Sequence, residues 1–143
     1  MPGRAQQVGT VLAAVVALNR RIAAEPRAPF DGVELGTNQL ALLFLLAHHP
    51  APVTPGAAAD ALGVTRGAVT QLVDGLRGAG LVDSVPHPGD GRSRILRLTD
   101  AAGRSVHAYE SAIAGRLLPA FDALDDVALA TLAELLGRVE ARP

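Results

Sequence analysis

The chain has 143 residues, 49% of them hydrophobic and 19% charged, with 13 arginines, no lysine, 14 acidic residues and a formal net charge of -1. That length and apolar content suit one compact domain, or one core with a dimerising extension, and exclude a disordered solvating tail. Because cysteine is absent, a disulfide framework, a thiolate zinc site, an iron–sulfur cluster and a thiol switch are all excluded.

The first expected element is a helix over residues 5–24, where Val11, Val15, Leu18 and Ile22 recur at steps of 4, 3 and 4, the spacing of a narrow apolar seam. The apolar stretch 8–18 carries Gly9 and Thr10 and runs into Asn19, Arg20 and Arg21; it is too short to span a bilayer. No signal-like cleavage pattern follows it, so the expectation is a cytoplasmic protein with no membrane partner. Pro26 and Pro29 break the helix. A second helix is expected from Thr37, with residues 40–47 apolar on every side, a pattern that predicts burial all round, and His48, His49 and Pro50 close it.

Thr54 before Pro55 is a helix start, with a hydroxyl to cap free amides and proline at the first helical position. This short helix ends at Leu62 and Gly63. Thr65 caps the next helix, which sets Val69, Leu72, Val73 and Leu76 on one face, with Gly78 or Gly80 as its left-handed terminator. Two short helices joined around a glycine form a helix-turn-helix. The periodicity then changes: residues 81–85 read as a strand, 86–91 as a turn-rich tip and 94–98 as a returning strand. A hairpin in that place is a wing. Thr99 or Asp100 caps a helix over roughly 100–118, ending before Pro119, and Asp125 and Asp126 open a last helix whose Leu129, Leu132, Leu136 and Val139 step by 3, 4 and 3.

The expected fold is therefore mainly α with a small β-hairpin wing: a winged helix-turn-helix plus a helical dimerisation region. Residues 1–34 form an N-terminal dimerisation helix and linker, 35–99 the winged helix-turn-helix, and 100–143 the C-terminal dimerisation helices. Terminal helices with leftover apolar stripes need a partner surface, and a second copy related by twofold symmetry supplies one, although the two helices packing on each other would also cover them.

Three pieces within residues 62–104 carry a family resemblance. They are Val69-Thr70-x-Leu72-Val73-Asp74-x-Leu76, then Gly80-Leu81-Val82 entering the wing, then Asp90-x-Arg92 before Leu98-Thr99-x-x-x-Gly103-Arg104. Together they make the chain resemble the MarR family of bacterial transcriptional regulators. The resemblance implies a homodimer whose winged helices bind a pseudo-palindromic double-stranded DNA operator, and a small phenolic or other amphipathic effector taken between the dimerisation helices and the winged domain. Gln71 and the pair Asp83-Ser84 stand where members of that family often carry basic residues, which removes cationic contacts to phosphate or base edges.

Thr65, Arg66, Gly67, Thr70 and Gln71 fall on the first two turns of the expected recognition helix, the end such a motif presents to the major groove. Arg66 is suited to guanine, Gln71 to adenine, and Thr70 to a thymine methyl or a phosphate; their plainer reading is a helix cap and solvated surface. At the wing tip, Arg92 and Arg94 are suited to the adjacent minor groove, with Asp90 orienting arginine through a charge-assisted pair, the plainer reading being an exposed ion pair. Gly67 suits close approach to a DNA backbone, and Gly75 suits packing or mere drift, a choice the sequence leaves open. Residues 60–104 hold six arginines against five aspartates, while 110–143 hold three arginines against six acids; the winged segment is thus the more basic, with few phosphate contacts expected per protomer.

His48, His49, His87 and His107 are the only nitrogen metal ligands, and none are spaced i, i+4, so neither a metal nor a cofactor is expected. No nucleophile elbow, Walker loop or H-E-x-x-H pattern occurs, so no catalytic residues and no enzyme are expected. The rival readings are a winged-helix protein-interaction module that has lost DNA binding and a small-molecule carrier acting without DNA. Effector-lining residues are not assigned.

Overall fold

A computed structural model describes residues 1–25, 30 and 32–140, and the expected helix break at Pro26 and Pro29 lies outside the described residues. The fold is mainly helical with one hairpin. In order, α1 spans Arg4–Ala24, α2 Thr37–His48, α3 Pro55–Leu62 and α4 Arg66–Gly78. The strands β1 (Val82–His87) and β2 (Asp90–Leu98) follow, then α5 (Asp100–Leu117), a 3-10 turn over Leu118–Phe121, and α6 (Asp126–Glu140). Among the described residues no helix is long and apolar enough to cross a membrane.

The chain divides into two compact units, one comprising Met1–Pro26 with Ser111–Pro143 and the other Arg27–Glu110. In the second unit the core is built from Leu40, Leu42 and Leu43 of α2, Ala58 and Ala59 of α3, Val69, Val73 and Leu76 of α4, Leu81, Val82 and Leu96 of the wing, and Ala102 and Val106 of α5. Leu42, Leu43, Val69 and Leu76 are fully buried, and removing such a side chain costs about 2–5 kcal/mol. Burial along α2 is strongest on one side: Phe44, Leu45 and Leu46 are half-buried and Ala47 is exposed, so the all-round burial expected of 40–47 is confined to part of the run. Phe30 and Phe44 bracket Tyr109, with ring centroids 6.3 and 5.7 Å away.

Both helices of the helix-turn-helix start and stop through local chemistry. The Thr54 hydroxyl accepts from the Ala57 N–H and the Thr65 hydroxyl from the Ala68 N–H, each at 3.1 Å. At the far ends, Gly63 and Gly80 take φ of 65° and 73°. The Val64 N–H then reaches the Ala59 carbonyl at 3.1 Å, and the Leu81 N–H the Leu76 carbonyl at 2.9 Å. This is the Schellman closure, in which only glycine takes the left-handed position without strain. Gly78 is accordingly the last residue of α4, and Gly80 is its terminator.

The wing strands are longer than the sequence pattern predicts, because they extend into the segment expected to be a tip. Only Pro88 and Gly89 remain as the turn between β1 and β2. Val82 pairs with Leu98 and Pro86 with Arg94, but His87 pairs with Asp90, so Gly91, Arg92 and Ser93 bulge out of the ladder. Proline is tolerated in β1 because this strand is an edge. On the other side, the Leu96 N–H donates to the Val53 carbonyl at 2.8 Å, a one-bridge third strand that docks the wing on the segment before α3. Thr99 secures its base: the hydroxyl donates to the Gly80 carbonyl at 2.9 Å and accepts from the Ala102 N–H at 3.2 Å, so it is Thr99 that caps α5.

The unit formed by the chain ends is built differently. Neither α1 nor α6 contains a buried residue among those described. Val8, Val11, Leu12, Val15, Val16 and Ile22 of α1 are exposed, as are Leu129, Leu132, Leu135, Leu136 and Val139 of α6; both stripes are broader than a single seam. Asp125 opens α6 by accepting from the Ala128 N–H at 2.8 Å, and Arg116 pairs with Glu25 at 3.4 Å.

Candidate nucleic-acid interface

Helix α4 is sharply divided. Val69, Val73 and Leu76 are buried, whereas Thr65, Arg66, Gly67, Thr70, Gln71 and Asp74 are exposed. The exposed set follows the 3.6-residue period and forms one polar face opposite the core. The Thr65 oxygen caps the helix and, with a second lone pair, can still accept. The Thr70 hydroxyl donates to the Arg66 carbonyl at 3.1 Å, which leaves its lone pairs and methyl group for an outside partner.

Arg66 does not extend freely from α4. A Cβ placed on Gly56 of α3 would lie 2.5 Å from the Arg66 Nη2 and 3.3 Å from both Cζ and Nε, so the guanidinium occupies the space over that glycine. Sequence reasoning missed this contact, whose one available signal is a glycine at the second position of a well-capped helix. Gly75 has a comparable reason in packing: its Cβ would come 3.1 Å from Nε2 of Gln39, a side chain whose Oε1 accepts from the Gly36 N–H at 2.9 Å. At Gly67 an added Cβ would meet only the Thr65 hydroxyl, at 3.9 Å, so nothing within the protein demands glycine there.

In the wing, Asp90 does not pair with an arginine side chain. Its Oδ1 accepts from the Arg92 backbone N–H at 3.0 Å and its Oδ2 from the Ser93 hydroxyl at 3.4 Å. The expectation of a charge-assisted pair with guanidinium is corrected to a bond that shapes the bulge. The Arg92 side chain is exposed, with no hydrogen bond or ion pair to the described residues. Arg94 turns back along the hairpin: its Nε donates to the Ser84 hydroxyl at 3.1 Å and its Nη2 to the Ser84 carbonyl. A cation from β2 thus stands at Ser84, where β1 itself lacks one. Among the described residues no hydrogen bond or ion pair joins the α4 group to the wing group.

The histidines serve local ends. His87 Nδ1 accepts from the Gly89 N–H at 3.0 Å in the wing turn, His49 Nδ1 lies 2.9 Å from the Ala51 carbonyl, and His48 is bonded to Glu110. Among the described residues no group of three or more metal-ligating side chains occurs. Beside the wing, a groove of about 540 Å³ is lined by Leu46, Val53, Val85, Pro86, Ile95 and Arg97, among others; its walls are aliphatic with one cation, and its volume is that of small-molecule sites.

Residues 34–93, from the segment before α2 to the wing bulge, match the sequence profile of the MarR family. No curated protein matches the chain. Among solved structures, RV1404 from Mycobacterium tuberculosis superposes with a TM-score of 0.73 at 22% identity, over 100% of this chain and 98% of that one. A point mutant of MepR from a multidrug-resistant S. aureus clinical isolate gives 0.68 at 17% identity, over 99% and 98%. The heme sensor PefR from Streptococcus agalactiae, solved in complex with heme, gives 0.54 at 18% identity, over 97% and 92%. At these identities the superpositions speak for the fold, and the profile speaks for the sequence. The chain as a whole thus has the fold of these structures, and its residues 34–93 resemble the MarR family in sequence.

Proposed function

We propose that the protein is a homodimeric transcriptional repressor that binds a pseudo-palindromic double-stranded DNA operator and is released from it by a small amphipathic or phenolic effector. The observation that carries the DNA reading is the division of α4: three apolar side chains enter the core while Thr65, Arg66, Gly67, Thr70 and Gln71 stay exposed on one face. That is the surface a recognition helix offers to base edges. Arg66 reads guanine or holds phosphate, Gln71 reads adenine, and Thr65 and Thr70 accept or make apolar contact. Arg92, projecting from the bulge that Asp90 shapes, enters the neighbouring minor groove, and Arg94 approaches phosphate from its seat on Ser84.

Dimerisation is supported by where the apolar surface lies. Every exposed large hydrophobic residue among those described, from Met1 to Val139, belongs to the unit formed by the chain ends. Such patches mark association surfaces, and a twofold partner sets two recognition helices about one DNA turn apart. In this reading 1–34 and 100–143 serve dimerisation and 35–99 serve DNA binding. The groove beside the wing, with aliphatic walls and Arg97, suits an amphipathic anion, and PefR demonstrates that the fold can serve a small-molecule sensor. An effector releases DNA by preferring a dimer conformation whose helices no longer match the half-sites.

The test is a mobility shift on the DNA upstream of the protein's own gene across a salt series, with Arg66→Ala and Arg92→Ala beside the parent. Sequence-selective, salt-sensitive binding weakened by both substitutions supports the reading. Absence of selective binding at every salt concentration overturns it, and a pull-down for a protein partner follows.

A further inference from the structure

We propose that Gly56 is a positioning residue for Arg66: its missing side chain leaves the seat on which the guanidinium rests, and this seat aims the arginine at DNA. The inference rests on the reading of Arg66 as a DNA contact. Gly56 is the second residue of α3, after the Thr54 cap and Pro55 and before three alanines. At a helical position alanine is favoured over glycine, so glycine in this run works against the helix it belongs to. The space that an alanine methyl would fill is taken by Arg66, whose Nη2 would lie 2.5 Å from that methyl and whose Cζ and Nε would each lie 3.3 Å away. Three of the head-group atoms therefore crowd one Cβ position.

Arg66 is exposed, and no hydrogen bond or ion pair among the described residues holds that head group. The first turn of α3 itself offers a cation nothing, because it carries the positive end of the helix dipole and its free N–H groups. A cation held beside a helix N-terminus, with no ion pair to a carboxylate among the described residues, suits an anion from outside the protein. Holding the guanidinium before DNA arrives removes rotamer freedom that binding would otherwise have to remove, which raises affinity without adding a contact.

The predicted signature is opposition between stability and binding. Gly56→Ala, Arg66→Ala and the double variant are compared with the parent for thermal unfolding and for affinity to the protein's own upstream DNA. Arg66→Ala is expected to lose roughly tenfold or more in affinity. Gly56→Ala is expected to lose at least threefold while unfolding at the same or a higher temperature, and to add no loss in the Arg66→Ala background. Parent-like affinity in Gly56→Ala alongside a weakened Arg66→Ala overturns the seat, as does a Gly56→Ala loss that persists without Arg66. A DNA-independent readout is the 15N relaxation of the Arg66 Nε–Hε group. It should report restricted motion in the parent and faster motion in Gly56→Ala; a freely moving group in the parent overturns the proposal. Restricted motion without selective DNA binding keeps the seat and overturns the DNA reading it was meant to serve.

Discussion

Asp90 holds Arg92 by its backbone: the carboxylate accepts from the Arg92 N–H at 3.0 Å and from the Ser93 hydroxyl at 3.4 Å, and so fixes the bulge from which the arginine projects. The bond needs an acceptor oxygen in that place more than it needs a charge. Asp90→Asn, which keeps an oxygen, should therefore bind DNA within about twofold of the parent, whereas Asp90→Ala should lose on the order of fivefold, the effect of one lost hydrogen bond. If both variants lose equally in an anisotropy titration, the carboxylate acts through its charge.

Arg92 is exposed and unengaged by the described residues, the state expected of a side chain reserved for phosphate or a minor groove. Arg92→Ala should flatten the dependence of log affinity on log salt by about 0.9 per phosphate contact removed, hence by roughly 2 for a dimer with both wings engaged. Titrations at four or five salt concentrations read the slope directly. An unchanged slope would remove Arg92 from the interface.

Leu132 lies on the exposed stripe of α6 with Leu129 and Leu136. Light scattering of the parent at micromolar concentration should give twice 14.7 kDa, and Leu132→Arg should move it toward the monomer, since an unpaired cation in an apolar interface is strongly unfavourable. A monomeric parent would defeat the dimer reading, and a dimeric Leu132→Arg would shift the interface elsewhere.

Gly75 and Gln39 form a coupled pair, because an added methyl would come 3.1 Å from a side chain already committed to the Gly36 N–H. Gly75→Ala alone should leave the unfolding temperature unchanged or lower it. In a Gln39→Ala background the same substitution should raise it, since the helix preference of about 1 kcal/mol is worth about 4 °C in a unit of this size. Equal effects in both backgrounds would show that the two residues are independent.

What the sequence makes legible is whatever depends on near neighbours. The Thr54 and Thr65 caps, the apolar positions of α4 and the split between its buried and exposed faces all follow from residues a few positions apart. The choice of Gly80 over Gly78 as terminator waits on the Leu81 to Leu76 bond, which needs the actual path of the chain. The wing is harder, since a three-residue bulge resets the register beyond Pro86 and no hydrophobic alternation marks it. The partners of Arg66 and Arg94 are hardest. One lies across the turn on α3 and the other across the hairpin on Ser84, and both depend on long side chains whose direction sequence spacing does not determine.

The uneven placement of apolar surface also bears on how the molecule behaves as its amount changes. The winged unit has its own core around Leu42, Leu43 and Leu76, while the helices at the chain ends expose leucine and valine along their length. In the proposed dimer a second copy covers those helices, and their order would then be a matter of mass action. Dilution would loosen the ends first and leave two winged units intact but uncoupled, each limited to half an operator. The cellular concentration of the protein would then itself act as a control on promoter occupancy, with a response steeper than first order, before any effector is present.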